Sequence, residues 1–170
     1  AQLMCFKSMI QKNDLGNICH EHIEFYSLKS LKYLFENNGL EIFKIQENNI
    51  NGGSYRIFCR KLKKGSIKLM KENILTSVKK FVKRVKENRL NTMKFIANEI
   101  KKNKKVFLYG ASTKGNTVLQ YYKLNSKMIP YAAERSPEKW NKFTIGTGIK
   151  IISEKKARKL NPDYFLVTPW

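Results

Sequence analysis

After the lysine-rich run at residues 101–105, short apolar stretches alternate with polar helical ones, and this alternation constrains the fold more than any other feature. "VFLYG" (106–110) reads as a short buried strand, "ASTKGN" (111–116) as a small polar turn, and "TVLQYYKL" (117–124) as the start of a helix. "MIPYAAE" (128–134) is a second strand, "RSPEKWNKFTIGTG" (135–148) a long loop, and "IKII" (149–152) a third strand. "SEKKARKL" (153–160) is a helix capped by Ser153, and "PDYFLVTPW" (162–170) a fourth strand. Strands that alternate with helices predict a parallel α/β layer.

The first part of the chain has a different texture. Residues 1–15 predict a short helix. "SLKSLKYLFENNGL" (27–40) places Leu28, Leu31, Leu34 and Phe35 at helical spacing, with Ser27 as N-cap and Gly39 as the stop. "EIFKIQE" (41–47) predicts a strand with Phe43 and Ile45 on one face. Beyond the turn cluster "NNINGGS", the alternation of Tyr55, Ile57 and Cys59 predicts a second strand, paired with the first as a hairpin. From 66 to 103, Ile67, Met70, Ile74, Val78, Phe81, Val85, Met93, Ile96 and Ile100 recur in steps of mostly three and four. That period predicts one long amphipathic helix, or two in series. The chain therefore divides into two α/β parts joined by helix, with a boundary near Lys104.

Charge sharpens the question of partners. The 170 residues carry 34 Lys+Arg against 13 Asp+Glu, a formal net charge of +21. Such a field attracts polyanions, nucleotides, phosphorylated sugars or acidic lipid. Lys79, Lys80, Lys83, Arg84 and Lys86 crowd the polar face of the long helix. A basic amphipathic helix suits membrane or nucleic acid, but a solvated outer face uses the same residues. Lysine outweighs arginine and comes with many Asn and Ile, so much of the excess reads as compositional bias. Neither membrane nor nucleic acid is the expected partner. No apolar run approaches the roughly 18 residues of a membrane span. Cys5, Cys19 and Cys59 form no C-x-x-C pair, and their odd number favours a reducing cytoplasm. A start at Ala and an end in an apolar run read as a piece of a larger protein.

Two stretches carry chemistry. "GASTKGN" (110–116) joins a strand to a helix, where an open α/β sheet binds ligands and where free helical N–H groups attract anions. Gly110 and Gly115 allow close backbone approach, Lys114 adds charge, and Ser112 and Thr113 add hydroxyls. The pattern matches neither G-x-G-x-x-G nor the P-loop. Phosphate binding and a plain helix-capping turn both use these residues. "GNICHEHIEFYSL" (16–28) holds both histidines, His20 and His22, around Glu21. Adjacent residues seldom converge on one metal, so no metal site is expected. Surface imidazoles at a helix entry and acid–base chemistry both remain open.

"HEHIEFYSLKSLKYLFENNGLEIFKI", "NGGSYRIF", "GASTKGNTVLQYY", "ERSPEKWNKFTIGTGIKII" and "NPDYFLVTPW" occur in this order and spacing. Together they resemble the C-terminal half of the sugar C-methyltransferases, enzymes that methylate C3 of nucleotide-linked 4-keto-deoxysugars, as in mycarose and tetronitrose biosynthesis. The resemblance runs from about Ile10 to Trp170 and implies three parts. Residues 1–64 would end a class I methyltransferase domain, 65–104 would be a long linking helix, and 105–170 a C-terminal Rossmann-like parallel-sheet domain, truncated at its end. S-adenosylmethionine would bind mostly upstream, with no cofactor-binding residue in this segment. Zinc would belong to an N-terminal domain absent from it. The fragment alone would lack activity.

The resemblance also implies roles. His22 matches the favoured base, with Glu21 as the preceding carboxylate, while Cys19 stands where some members have tyrosine. His22 would remove a proton beside the ketone, and the enolate carbon would then take the sulfonium methyl. Gly110, Ser112, Lys114, Gly115 and Asn116 would contact the substrate near its diphosphate. Glu134 and Arg135, followed by Pro137, match an acidic-Arg-Pro pattern, and a carboxylate at Glu134 would suit a ribose-type hydroxyl. Ile145 replaces a usual proline and Asn51 a usual histidine. A Rossmann-like nucleotide or nucleic-acid binding module without catalysis, and a related methyltransferase with a non-sugar substrate, stand as the alternatives.

Overall fold

A computed structural model of the chain describes residues 1–63 and 73–168. The expectations placed on Ile67, Met70 and Trp170 lie outside the described residues. The chain forms two compact units, one of residues 1–14 and 21–82, the other of 15–20 and 83–170.

The first unit is built on an antiparallel sheet in the order β1-β3-β2, with β1 at Gln2–Met4, β2 at Leu40–Asn48 and β3 at Ser54–Lys61. The expected hairpin is present, because β2 pairs antiparallel with β3 along almost its whole length. Residues 1–15 hold the expected short helix, α1 (Phe6–Lys12), but also β1, which pairs with the other edge of β3. Helix α2 (Leu28–Asn37) begins where expected: Ser27 Oγ accepts from Ser30 N–H at 3.1 Å, and Gly39 follows its end at φ +73°. Its Leu31 is buried with Cys5, Ile42, Tyr55 and Ile57.

Strand β2 departs from simple alternation. Its register with β3 shifts between Ile42 and Lys44, which makes Phe43 the extra residue of a bulge. Phe43 and Ile45 therefore do not share the buried face. Ile42 is buried, Ile45 packs against the same core, and Phe43 is 45% exposed with the Arg60 guanidinium over its ring. The extra residue resets the side-chain period of two.

Helix α3 (Ile74–Lys101) is one helix of 28 residues, and the division between the units falls within it, after Val82. The second unit has a four-stranded parallel sheet in the order β6-β5-β4-β7. Its strands are β4 (Val106–Tyr109), β5 (Tyr131–Glu134), β6 (Lys150–Ser153) and β7 (Tyr164–Val167). All four expected strands are present. Helix α4 (Thr113–Tyr122) follows β4, and α5 (Glu154–Lys159) follows β6 with Ser153 Oγ as its cap.

Side chains alternate across this sheet. Val106, Leu108, Ala132 and Ile151 pack on one face with Leu119 of α4 and Ile96 of α3. Phe107, Ala133 and Ile152 pack on the other face with Ala157 of α5. The central strands β4 and β5 bury residues on both faces and so are apolar runs, whereas β7 at one edge is only partly buried. From β4 the chain moves to β5 on one side and later returns through β7 on the other. The reversal places a topological switch point between the carboxyl ends of β4 and β7.

Candidate functional site

The loop between β4 and α4 sits at that switch point. Gly110 has φ +89°, a conformation that disfavours any side chain, and a Cβ there would meet nothing within 4 Å. Its N–H donates to Ala133 O at 2.8 Å, which ties the loop to β5. Ser112 caps α4, its Oγ accepting from Gly115 N–H at 3.0 Å. The first turn of α4 carries no acidic residue. Its free N–H groups and positive dipole end favour an anion. Lys114 lies in this turn, half-buried.

Gly115 has another task. A Cβ there would stand 2.6 Å from Thr168 Oγ1 and 3.2 Å from Thr168 Cβ. The missing side chain lets α4 approach the residue just beyond β7, the close helix–strand contact that glycine serves in dinucleotide folds. Thr168 is buried, and its Oγ1 has no hydrogen-bond partner among the described residues; the same holds for Oδ1 of Asn116 in α4. Thr168 escapes sequence reasoning because its neighbour lies far back in the chain.

Glu134 ends β5 beside this loop. Its Oε1 accepts from the N–H groups of Arg135 at 2.8 Å and Ser136 at 3.1 Å. Its Oε2 accepts from Ala111 N–H at 3.0 Å and lies 3.4 Å from Lys139 Nζ. Burial by itself would push this carboxyl up. The N–H groups of Ser136, Ala111 and Arg135 and the Lys139 ammonium outweigh it and hold the group below the usual carboxylate range. Arg135 is exposed, its Nε 3.6 Å from Glu154 Oε2. Sequence reasoning missed Lys139, although it lies in the "RSPEKW" stretch that carried part of the resemblance.

The structure brings Gly110, Ser112, Lys114, Gly115, Asn116, Glu134 and Arg135 into the second unit, along the carboxyl ends of β4 and β5. Glu21 and His22 belong to the first unit, whereas His20 is counted with the second. His20 and Glu21 are exposed. His22 is half-buried, its ring edge-to-face with Phe25 at 6.5 Å between centroids. Among the described residues no three His, Cys, Asp or Glu side chains gather as a metal site.

A parallel sheet with helices on both faces, and a glycine turn leading into a capped helix at its switch point, defines a Rossmann-like domain. The chain belongs to the family described as the C-methyltransferase C-terminal domain, whose sequence model matches residues 49–170. It is also similar to the C-methyltransferase NovU of Streptomyces niveus, with 26% identity over 174 residues. That match takes in 95% of this chain and 41% of the relative, so the chain spans less than half of that protein's length.

Proposed function

We propose that this chain is the C-terminal portion of an S-adenosylmethionine-dependent C-methyltransferase acting on a nucleotide-linked 4-keto-deoxysugar. Family membership and the relative's printed activity support methyl transfer to carbon. The observation that carries a phosphate-bearing substrate is the start of α4: a capped helix N-terminus without acidic residues, beside open space at Gly110. In this reading residues 1–64 close the methyltransferase domain, 65–104 link, and 105–170 hold the nucleotide. The three cysteines are free thiols, in keeping with a cytoplasmic enzyme. No helix among the described residues is long and apolar enough to cross a membrane.

S-adenosylmethionine, when bound, supplies the methyl group, and no residue of this segment is assigned to hold it. His22 acts on the sugar. Its neutral imidazole takes the proton from the carbon next to the ketone, and the electron pair passes into the enolate. Imidazole suits this step because a ring nitrogen that carries no hydrogen is a proton acceptor. Glu21 either holds the ring in the tautomer that leaves one nitrogen free to accept, or contacts the sugar. In the full-length enzyme, His22→Asn and His22→Ala should each lower kcat by about 10²–10⁴, the usual worth of a positioned base. Turnover close to wild type in either variant removes His22 from the mechanism.

A further inference from the structure

We infer that Glu134 and Lys139 form a clip that holds the loop between β4 and α4 in shape, so that Glu134 serves the site as a positioning residue rather than as a ligand contact. The inference rests on the reading of that loop as an anion site.

Ala111 is the residue between Gly110 and Ser112, and both of its backbone groups are held. Its N–H donates to Glu134 Oε2 at 3.0 Å, and its carbonyl accepts from Lys139 Nζ at 3.1 Å. The two side chains also meet each other, at 3.4 Å. On one side, Gly110 N–H is pinned to Ala133 O; on the other, Ser112 is fixed by its cap. Each residue of the turn is thus tied down, which sets the direction of the free N–H groups of α4.

The carboxylate has no capacity to spare. An ionised carboxylate offers about four acceptor positions. Here three backbone N–H groups and one ammonium take them, and the side chain is only 14% exposed. A ligand hydroxyl would have to displace one of these donors. Trp140 Nε1 donates to Glu134 O at 2.8 Å and steadies the backbone of the same residue.

Inorganic pyrophosphate is the probe, because it has phosphate chemistry and no sugar. In full-length Glu134→Gln, an NH2 replaces one acceptor oxygen, so the clip opens. Pyrophosphate should bind roughly tenfold more weakly, as for the loss of a charge-assisted hydrogen bond. Exchange of the Ala111 amide hydrogen should accelerate together with that loss. Charge alone predicts the opposite sign, since removing a negative group beside an anion tightens binding. A contact to a sugar hydroxyl predicts no change. Unchanged or tighter binding of pyrophosphate therefore overturns the clip. Glu134→Asp keeps the charge and shortens the reach, and covers the case in which the Gln variant fails to fold. It should lose affinity in the same direction, and wild-type affinity in it also overturns the proposal. If the wild-type enzyme does not bind pyrophosphate, the positioning role falls with the anion reading. The Ala111 exchange rates then separate that failure from a failure of the clip itself.

Discussion

Gly115 shows how one position can take the opposite sign from its local chemistry. Its φ is not in the left-handed region, so alanine there should gain up to about 1 kcal/mol from helix propensity. Thr168 reverses that expectation, with Oγ1 at 2.6 Å and Cβ at 3.2 Å from where the new Cβ would stand. Gly115→Ala should destabilise the second unit by about 1–3 kcal/mol, the usual cost of overpacking. Thr168→Ala removes the oxygen that stands closest, so the pair should couple, and the double variant should recover part of the loss. Urea titrations followed at Trp140 measure this as a double-mutant cycle; additive effects would mean that Thr168 is not the obstacle. At this scale the sequence is legible where a requirement is local. Gly110 follows a strand and precedes a helix, and its φ of +89° is the one such a turn expects. The Gly115–Thr168 contact and the bond from Ala111 N–H to the Glu134 carboxylate join residues distant in sequence, and nothing in the local pattern reports them.

Among the elements, helix starts are legible because a cap is a local device. Ser27 and Ser153 stand where the sequence predicts caps, and each accepts from the N–H three residues on. The four strands of the parallel sheet are legible because each is a short apolar run set between turn and helix signals. Strand β1 is not, since three residues carry too little pattern to reveal a partner more than fifty positions away. Strand β2 is legible in existence but not in phase, because a bulge leaves no signature in a short run of Ile and Phe. The phase has a measurable consequence. Ile42→Ala should cost the first unit about 2–4 kcal/mol, as for a fully buried aliphatic side chain. Phe43→Ala should cost less, about 1 kcal/mol, since the ring is 45% exposed and loses its contacts with Phe58 and Arg60. Amide exchange across β2 and β3 reads both changes, and a larger loss at Phe43 would restore the unbulged phase.

For the whole molecule, the scarcity of acid matters as much as the abundance of base. With 13 carboxylates against 34 basic residues, each negative group that discharges adds to an already large self-repulsion. Among the described residues four carboxylates are held below their usual range, and all lie in the second unit. Glu99 is lowered by hydrogen bonds from Lys102 and from the Tyr164 hydroxyl, and Asp163 by the Lys105 N–H and then Lys104. Glu154 is lowered chiefly by Arg158, and Glu134 by the donors that outweigh its burial. A carboxyl depressed in the folded state binds fewer protons there than in the unfolded chain, so stability rises with pH across that window. The contribution is complete above the unfolded carboxylate range and is lost as pH falls through the folded values. The urea midpoint of the second unit, followed by tryptophan fluorescence, should therefore be highest near neutrality and fall steadily under acid. Added salt should recover part of the loss by screening the repulsion. Glu99→Gln should lower the midpoint at neutral pH and flatten its dependence on pH, because the lost ion pair with Lys102 is one source of the slope. A midpoint that stays level from neutral to acid pH would show that these four carboxylates do not tie folding to their charge.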